Sequence, residues 1–597
     1  MPPAFPGVGF RPTQAPTLGA TACRSKGMQS DGSRAPSLPP EFCPRRLAAN
    51  LAALASVDQK LAARLALSVG SEHVECLRGG GLEMRWRGSN LGLELGTNAP
   101  GVWLREGREA TAPGLILGVG CGEPIAAAMA REPGRTWIAW ERDPWILRLF
   151  LMRIDVSRVL RERRLALALG ADLFAAARTA LAGPLVAHTV LGAVYPRERR
   201  IAEVPDSGEA VLLAEGGLFV DQLGEALARR GFTPYTLDLE RLAEGELDHA
   251  VFASRARRLF AINYTHGLAE FAARHGLDAC VWEIDPSLDT LQPLAVASGG
   301  TRVFTYRAAH VPIFEAAGFE RVEHLPLAAD TLARQPVALA PDQAARYQAP
   351  VAFVGSSMAP QAARNRRVFL DLCAAARGAA SRPKEAARLN ALLDRQRARP
   401  DVYLLAEWLE RVYGDVLDLA RAHGPACDPA RLLEDVAASE KRLLLVGALG
   451  SRGIEVWGDG GWADLTEFGV VYRGPAGHQR ELNAIYSGGG IQLDINRIYQ
   501  PDIATMRVFD VLACGGFCLA EHNAELDRLF DVGNEIAVYH NPAELIAKVD
   551  HYLAHPAEAR AIAARGHAAV QARHTIDMRL DRLLRTQITQ LEGLRAG

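Results

Sequence analysis

The alternation of apolar and polar positions divides the chain into helical and strand-like stretches. Residues 45–66, RRLAANLAALASVDQKLAARLA, have a helical period, and HVECLRGGGLEMRWRG behind them alternates like a small strand meander. Residues 114–143, GLILGVGCGEPIAAAMAREPGRTWIAWERD, predict a buried strand, a glycine turn, a helix and a second strand that ends in Glu141. This is a βαβ pattern of the nucleotide-binding type.

The same pattern recurs twice further along the chain. It resumes with AVLLAEGGLFVDQLGEALARRGFTPYTLDL and the short strands LFAINY, ACVWEID, RVFTY and EHLPLA. VAFVGSS at 351–357 opens a third set, which a helical insertion of about 80 residues interrupts. We expect the α/β pattern to resume with RLLLVGA, IEVWGDG, FCLAE and IAVYH, before a closing helical run. Strands that alternate with helices predict parallel, doubly wound sheets.

Length and composition fix the number of domains. A chain of 597 residues exceeds one hydrophobic core, and we predict three α/β domains after a lead rich in Pro, Gly, Ser and Thr. The predicted segments are a disordered lead at 1–45, a Rossmann-like accessory domain at 46–205, a second α/β domain at 206–349, and a third at 350–597 with its helical insertion at about 360–440.

Charge and cysteine content exclude several classes of protein. A net charge of -2 gives no basic field for nucleic acid. The nine cysteines form no C-x-x-C pair, which favours a reducing compartment. No apolar run approaches the roughly 18 residues that a spanning helix needs. We therefore expect a cytoplasmic protein without a membrane span and without a nucleic-acid partner.

The most informative stretch is residues 485–539. A helix that starts near Ala504 would present its N-terminal N–H groups to a diphosphate, with Arg507 in its first turn. Asp510 is placed to accept hydrogen bonds from ribose hydroxyls, and Asp502 lies eight residues before it. The alternative is that Asp502 caps the helix and Asp510 is a solvated helical residue.

Three further candidates follow this helix. We expect the backbone of Gly515 and Gly516 to face the bound nucleotide ligand. The alternative is that the two glycines only end the helix. Glu521 ends the next strand, at the carboxyl edge where open α/β sheets bind ligands.

Other candidates stand at the ends of neighbouring strands. Asn496 and Arg497 end LDINR, where a guanidinium can neutralise a leaving diphosphate; a salt bridge from Arg497 to Asp494 is the alternative. Gly355 and Ser356 follow VAFV in a glycine turn that resembles the first turn of a nucleotide-binding domain.

A base for an acceptor hydroxyl is expected on the second α/β domain. Glu283 and Asp285 end the strand VWEID, and either acid could remove the proton, whereas the alternative is that both cap a helix after Pro286. His310 is interpreted as an ordinary structural histidine. The sequence has no evident D-x-D pair or His cluster, so we predict that arginines and helix dipoles, and no metal, neutralise the phosphates.

These motifs occur in a family order. Residues 485–539, with VAFVGSS, YRG, VWEID and EHLPLAAD before them, resemble the CgeB-like glycosyltransferases. The resemblance implies a GT-B architecture, in which two Rossmann-like domains face a cleft: an acceptor-side domain at 206–349 and a donor-binding domain at 350–597. It also implies a nucleotide-diphosphate sugar as donor, no further cofactor, and a glycan or protein acceptor such as flagellin.

The N-terminal unit carries a rival function. GVGCGE, with Glu141 about 20 residues later, resembles motif one of SAM-dependent methyltransferases, and the continuation through residue 173 resembles the MptE-like domain of surface-glycosylation proteins. A methyltransferase and a non-catalytic maturation factor therefore stay open beside the glycosyltransferase. We favour a structural Rossmann-like unit over active methylation, since no signature such as NPPY follows.

Overall fold

A computed structural model shows how these segments fold. It describes residues 41–67, 101–205, 208–216, 218–239, 242–285, 291, 293–294, 300–423, 429–477 and 480–584, together with the backbone of three short strands between 74 and 95. The predicted lead lies outside the described residues up to residue 40. Its last residues are ordered, because Phe42 is buried and the first helix begins at Pro44.

The N-terminal unit combines a small antiparallel sheet with a five-stranded sheet in the order β4-β8-β5-β6-β7, in which β4 alone runs antiparallel. Asp143 caps helix α4 by accepting the N–H of Trp145 at 2.7 Å. The strands are Val74–Cys76 (β1), Leu82–Arg85 (β2), Gly92–Leu95 (β3), Val102–Arg105 (β4), Gly114–Leu117 (β5), Trp137–Glu141 (β6), Leu165–Leu169 (β7) and Leu185–Ala187 (β8). The helices are Pro44–Ala55 (α1), Gln59–Leu67 (α2), Glu123–Arg131 (α3), Pro144–Arg153 (α4), Ser157–Arg161 (α5), Leu173–Thr179 (α6), Leu191–Val194 (α7) and Pro196–Glu203 (α8).

The middle unit is a parallel six-stranded sheet in the order β10-β9-β11-β12-β13-β14. Its strands are Glu209–Ala214 (β9), Phe232–Leu237 (β10), Arg258–Ile262 (β11), Asp278–Glu283 (β12), Thr301–Thr305 (β13) and Val322–His324 (β14). Its helices are Val220–Arg229 (α9), Glu244–Ser254 (α10), Leu268–His275 (α11), Val311–Ala316 (α12) and, on the connection to the next unit, Pro341–Tyr347 (α13).

The C-terminal unit is a second parallel six-stranded sheet, in the order β17-β16-β15-β18-β19-β20. Its strands are Val351–Val354 (β15), Ile454–Trp457 (β16), Val471–Tyr472 (β17), Ile491–Asp494 (β18), Phe517–Glu521 (β19) and Ala537–Tyr539 (β20). Its helices are Ala359–Arg377 (α14), Arg382–Arg397 (α15), Leu405–His423 (α16), Pro429–Gly447 (α17), Arg480–Ser487 (α18), Met506–Ala513 (α19), Ala524–Leu529 (α20), Pro542–Ala554 (α21) and Pro556–Arg573 (α22).

The predicted fold class is confirmed: two parallel α/β sheets follow a third, mixed one. Helices α14 to α17 lie where the helical insertion was predicted, and they share a core that includes Leu405, Leu409 and Val416. The type of one predicted element was wrong. RLLLVGA, where the α/β pattern was expected to resume, is the last turn and a half of helix α17. A short apolar run fits a buried strand and a buried helix equally well.

The three units pack against one another and share hydrophobic clusters. One hydrophobic cluster joins the N-terminal sheet to a face of the middle sheet, for example through the ring contact of Phe174 with Tyr235 at 5.5 Å. The last helical stretch, residues 576–584, returns to the middle unit, where Arg230 bonds to Asp581 at 2.7 Å. The C-terminal unit is thereby held to the middle unit by the end of the chain. The segment boundaries given above stay a prediction.

Candidate active site between the two parallel sheets

The loops at the carboxyl edges of the two parallel sheets meet. Arg307 follows β13 of the middle sheet, and its Nη2 lies 2.6 Å from Oδ1 of Asp502, in the loop behind β18 of the C-terminal sheet. Gln500 of the same loop donates to the hydroxyl of Tyr306 at 3.1 Å. Ligands of open α/β sheets bind outside the carboxyl ends of the strands, so this cleft is the candidate site.

The glycine turn behind β15 borders the cleft from the C-terminal side. A Cβ on Gly355 would lie 2.7 Å from Nη2 of Arg507, so the close approach of this arginine favours glycine. The hydroxyl of Ser356 donates to the carboxylate of Asp459, which also accepts the backbone N–H of Ser357 at 2.8 Å. Asp459 thus fixes the turn, and the predicted pair Gly355 and Ser356 does stand at the cleft.

Three arginines gather beside this turn. Arg442 on α17 donates to the backbone carbonyl of Ser356 at 2.8 Å, and its buried Nε has no hydrogen-bond partner among the described residues. Burial, together with nearby Arg507 and Arg497, lowers the pKa of Arg442 to about 9. The guanidinium stays protonated at neutral pH, but its charge is unfavourable there until an anion arrives.

The carboxylates do not balance this cluster. Asp494 binds Nη1 of Arg507 at 2.5 Å, and Nε of Arg507 donates to the carbonyl of Val354 at 2.7 Å. The alternative pairing of Asp494 with Arg497 is therefore wrong. Within the described ranges, no carboxylate pairs with Arg442 or Arg497. About two positive charges are left uncompensated, which suits a diphosphate.

Glu521 ends β19 at the same edge but is already engaged. Its carboxylate lies 2.6 and 2.8 Å from Nζ of Lys441 and accepts the backbone N–H of Asn496 at 3.1 Å. Burial raises the pKa of Glu521, and Lys441 opposes that shift. The side chain of Asn496 is also buried, and its Nδ2 donates to the carbonyl of Ile503 at 3.2 Å. Glu521 and Asn496 therefore form the floor of the site.

The two aspartates that stand eight apart both bind arginines of the preceding segment. Asp502 binds Arg307, and Asp510, whose side chain is 9% exposed, accepts from Nε of Arg334 at 3.0 Å. Helix α19 begins at Met506, later than expected, so Asp502 does not cap it. Asp510 is buried and not solvated, and a ribose would have to share it with Arg334.

Gly515 and Gly516 lie at the wrong end of the strand for a donor contact. Gly515 has φ +72°, and its N–H donates to the carbonyl of Leu512. The N–H of Gly516 donates to the carbonyl of Val511. These two bonds form a Schellman motif that ends helix α19. Both glycines precede β19, whereas Glu521 ends it, about 17 Å from Gly516 along an extended strand. The expectation that they face the donor was wrong, and their structural alternative holds.

Glu283 cannot reach an acceptor, because it is fully buried at the end of β12. It accepts from the hydroxyl of Thr305 and from Nδ1 of His310 at 3.0 Å. Its predicted role as a base was wrong, since a base must touch the hydroxyl that it deprotonates.

Asp285 is exposed behind the same strand. Burial raises the pKa of Tyr306, and the charges of Asp285 and Arg497 lie near enough to that phenol to contribute. Asp285 follows β12 of the middle sheet and Arg497 follows β18 of the C-terminal sheet.

Sequence analysis missed two of the central cations. Lys441 and Arg442 lie on helix α17, just beyond the predicted end of the helical insertion near residue 440, and RLLLVGA was expected to restart the α/β pattern. On a helix, adjacent residues point in different directions. Lys441 and Arg442 accordingly reach two different groups of the site, Glu521 and Ser356. The signal was the charged pair itself, at the head of an apolar run.

The glycine loop of the N-terminal unit is filled by side chains of the chain itself. Gly118, Gly120 and Gly122 are buried, and a Cβ on Gly120 would lie 2.4 Å from Nε2 of His188. Glu141 accepts the backbone N–H of Val119 at 3.0 Å, and burial raises the pKa of Glu141 to about 7. Among the described residues, the ring of His188 therefore packs directly against Gly120 of this loop.

Comparison with known proteins gives a family match within the C-terminal unit. Residues 430–585 match a family model described as glycosyl transferase-like. This segment is glycosyltransferase-like. The glycosyltransferase-like segment contains the whole arginine cluster and the Lys441–Glu521 pair. The middle sheet, with Asp285 and Arg307, lies outside it.

Solved structures show weaker likenesses over a longer part of the chain. Sucrose-phosphate synthase of Thermosynechococcus elongatus is 12% identical at a TM-score of 0.38, and the match covers 65% of this chain and 100% of that one. HepE from Anabaena, solved with UDP-glucose, is 11% identical at 0.36, covering 64% and 99%. The MAf glycosyltransferase from Magnetospirillum magneticum AMB-1 is 12% identical at 0.21, covering 49% and 58%. Comparison with curated proteins returned no match.

Two features of the described residues concern a membrane and a metal ion as partners. None of their helices is both long enough and apolar enough to cross a membrane. No group of three or more His, Cys, Asp or Glu side chains in the same residues could hold a metal ion.

Proposed function

We propose that this protein transfers a sugar from a nucleoside-diphosphate sugar to an acceptor hydroxyl. The C-terminal unit would hold the donor and the middle unit the acceptor. The observation that carries the proposal is the cluster of Arg442, Arg497 and Arg507 beside the Gly355 turn, inside the glycosyltransferase-like segment.

The cluster fits the leaving group of such a reaction. When the bond to the anomeric carbon breaks, negative charge grows on the diphosphate, and guanidiniums already in place stabilise that charge without reorganisation. Arg442 is well suited because its charge is buried and its Nε has no partner in the described part of the chain. Arg507 is held by Asp494 and contributes mainly through Nη2, which faces Gly355. Arg497 forms no ion pair within the described residues, so its charge is available to the phosphate.

The number of uncompensated positive charges in the arginine cluster supports transfer without a metal. Two uncompensated guanidinium charges match the two charges of a diphosphate diester, so a divalent cation has no charge left to neutralise. We propose that the guanidiniums take the place that a divalent cation holds in metal-dependent sugar transfer.

Asp285 is the proposed base. Its carboxylate is exposed behind β12 of the middle unit, where it could take the proton of the attacking hydroxyl. This role requires attack from the face opposite the leaving group, and hence inversion at the anomeric carbon. The acceptor is proposed to be a surface glycan or a protein such as flagellin, modified in the cytoplasm.

Calorimetry tests the donor site. UDP-, GDP-, dTDP- and CMP-sugars and SAM are titrated into wild type, Arg442→Met and the control Arg560→Met, which removes an exposed arginine from helix α22. We expect one nucleoside-diphosphate sugar to bind, with EDTA present. Losing a charged hydrogen-bond donor of about 1.5 to 3 kcal/mol should weaken it about 10- to 150-fold in Arg442→Met alone.

Two results would contradict the proposal. One is a wild-type protein that binds no nucleotide sugar. The other is an Arg442→Met protein that is folded, as shown by circular dichroism, and binds the sugar as tightly as wild type. Binding that disappears with EDTA would refute the metal-free part only.

A further inference from the structure

The loop of residues 495–502 connects the donor site to the middle unit. Arg497 stands near its start, among the cationic groups, and Asp502 ends it. Asp502 binds Arg307 in a bidentate way, with Nη2 at 2.6 Å and Nε at 3.0 Å from Oδ1. Gln500 adds a bond to Tyr306, the neighbour of Arg307. The two ends of one short loop thus contact two different units.

His310 holds the side chain of Arg307 on the side away from Asp502. Nη1 of Arg307 lies 3.2 Å from Nε2 of His310. A guanidinium has donors only, so Nε2 must accept, and the proton of the neutral ring is then on Nδ1. Nδ1 donates to Glu283 at 3.0 Å, and Glu283 is fully buried. This row of bonds aims the guanidinium at Asp502 before any substrate arrives.

From this geometry we infer that Arg307 is a positioning residue that closes the cleft. By binding Asp502 it fixes the loop of residues 495–502, and with it Arg497, over the reacting groups. The inference rests on the proposed function for its effect on catalysis, but not for the closure itself. Closed clefts exclude water, which limits hydrolysis of the donor.

The strength of the contact suits a reversible closure. The side chain of Asp502 is 36% exposed and that of Arg307 is 14% exposed, and partly exposed ion pairs are weak enough to open. Opening of this ion pair widens the cleft but leaves the units connected. Separate contacts, such as Arg230 with Asp581 and Arg302 with the carbonyl of Leu583, hold the end of the chain to the middle unit.

The test compares Arg307→Met, Asp502→Asn and the double variant with wild type. The matched control is Arg452→Met, which breaks a bidentate pair with Asp550, at 2.6 and 2.8 Å, inside the C-terminal unit. Small-angle X-ray scattering of the ligand-free full chain gives the radius of gyration. Steady-state assays with the nucleotide sugar found by calorimetry give kcat, the donor KM and the ratio of hydrolysis to transfer.

We expect a larger radius of gyration in all three cleft variants and no change in the control. The kcat for transfer should fall about fivefold, with a smaller change in donor KM and a rise in the share of hydrolysis. The double variant should be no worse than either single variant, because both remove the same contact. Asp502→Asn, at the more exposed position, keeps the test valid if Arg307→Met does not fold.

An unchanged radius of gyration in folded Asp502→Asn would overturn the inference. So would effects of the two single variants that add in the double variant. These results are distinguishable from failure of the proposed function. If no nucleotide sugar binds to wild type, the sugar-transfer proposal fails, while scattering from the ligand-free protein still decides whether Arg307 closes the cleft.

Discussion

Replacing Lys441 with methionine should destabilise the C-terminal unit, because it leaves a buried carboxylate without its counter-ion. Nζ of Lys441 lies 2.6 and 2.8 Å from the two oxygens of Glu521, and the side chains are 5% and 14% exposed. Among the described residues, the backbone N–H of Asn496, at 3.1 Å, is the other donor to the carboxylate of Glu521. Methionine fills the space of the lysine stem, so that the lost charge dominates the effect.

The structure sets the size of this effect. Removing one partner of a buried ion pair costs about 3 to 5 kcal/mol. Glu521 keeps the N–H of Asn496 and some contact with water, so we expect the lower end, about 3 kcal/mol at pH 8. Burial already raises the pKa of Glu521, and loss of Lys441 must raise it further. A folded-state pKa above the unfolded value means that stability is lost as pH rises through it. The penalty should therefore be smaller at pH 5.5 than at pH 8.

Hydrogen exchange and thermal unfolding measure this prediction. Exchange of the amides in strands β18 and β19 reports the local free energy of opening, and unfolding midpoints at pH 5.5 and pH 8 give the pH dependence. The control is Lys548→Met, whose partner Glu544 lies at 3.0 Å with both side chains about 30% exposed, and it should cost less than about 1 kcal/mol. The double variant Lys441→Met with Glu521→Gln should recover most of the loss. A single variant within about 1 kcal/mol of wild type at pH 8, or a double variant that is worse, would refute the reasoning.

Two further predictions concern residues whose roles the structure changed. Asp510→Asn should lower the unfolding free energy by about 2 to 3 kcal/mol, because it removes the carboxylate that binds Arg334. Thermal unfolding measures this loss of stability. A variant that loses only affinity for the nucleotide sugar would contradict the prediction. SAM should give no heat of binding in calorimetry, since Gly118, Gly120 and Gly122 are buried, and Gly120→Ala should lower the unfolding midpoint because its Cβ would lie 2.4 Å from the His188 ring. SAM binding, or a Gly120→Ala protein as stable as wild type, would show that the loop has space.

The sequence by itself determined the elements and the edge at which chemistry occurs. Apolar runs of period two or 3.6 are local signals, and they predicted the strands ending at Val354, Glu521 and Glu283. Because the strands are parallel, their ends collect at one edge, so the candidates Gly355, Arg497 and Arg507 could be placed at a common site before any coordinates.

Only the tertiary structure decided which charges pair and which are left over. Lys441 meets Glu521 across 80 residues of chain, and Arg307 meets Asp502 across 195. No local pattern encodes such pairs, since each depends on how whole units pack. The same holds for the burial of Glu283, which removed it from the list of bases. Arg442 entered the site because a long helical insertion folds back over the sheet, and an apolar run alone cannot tell a buried helix from a buried strand.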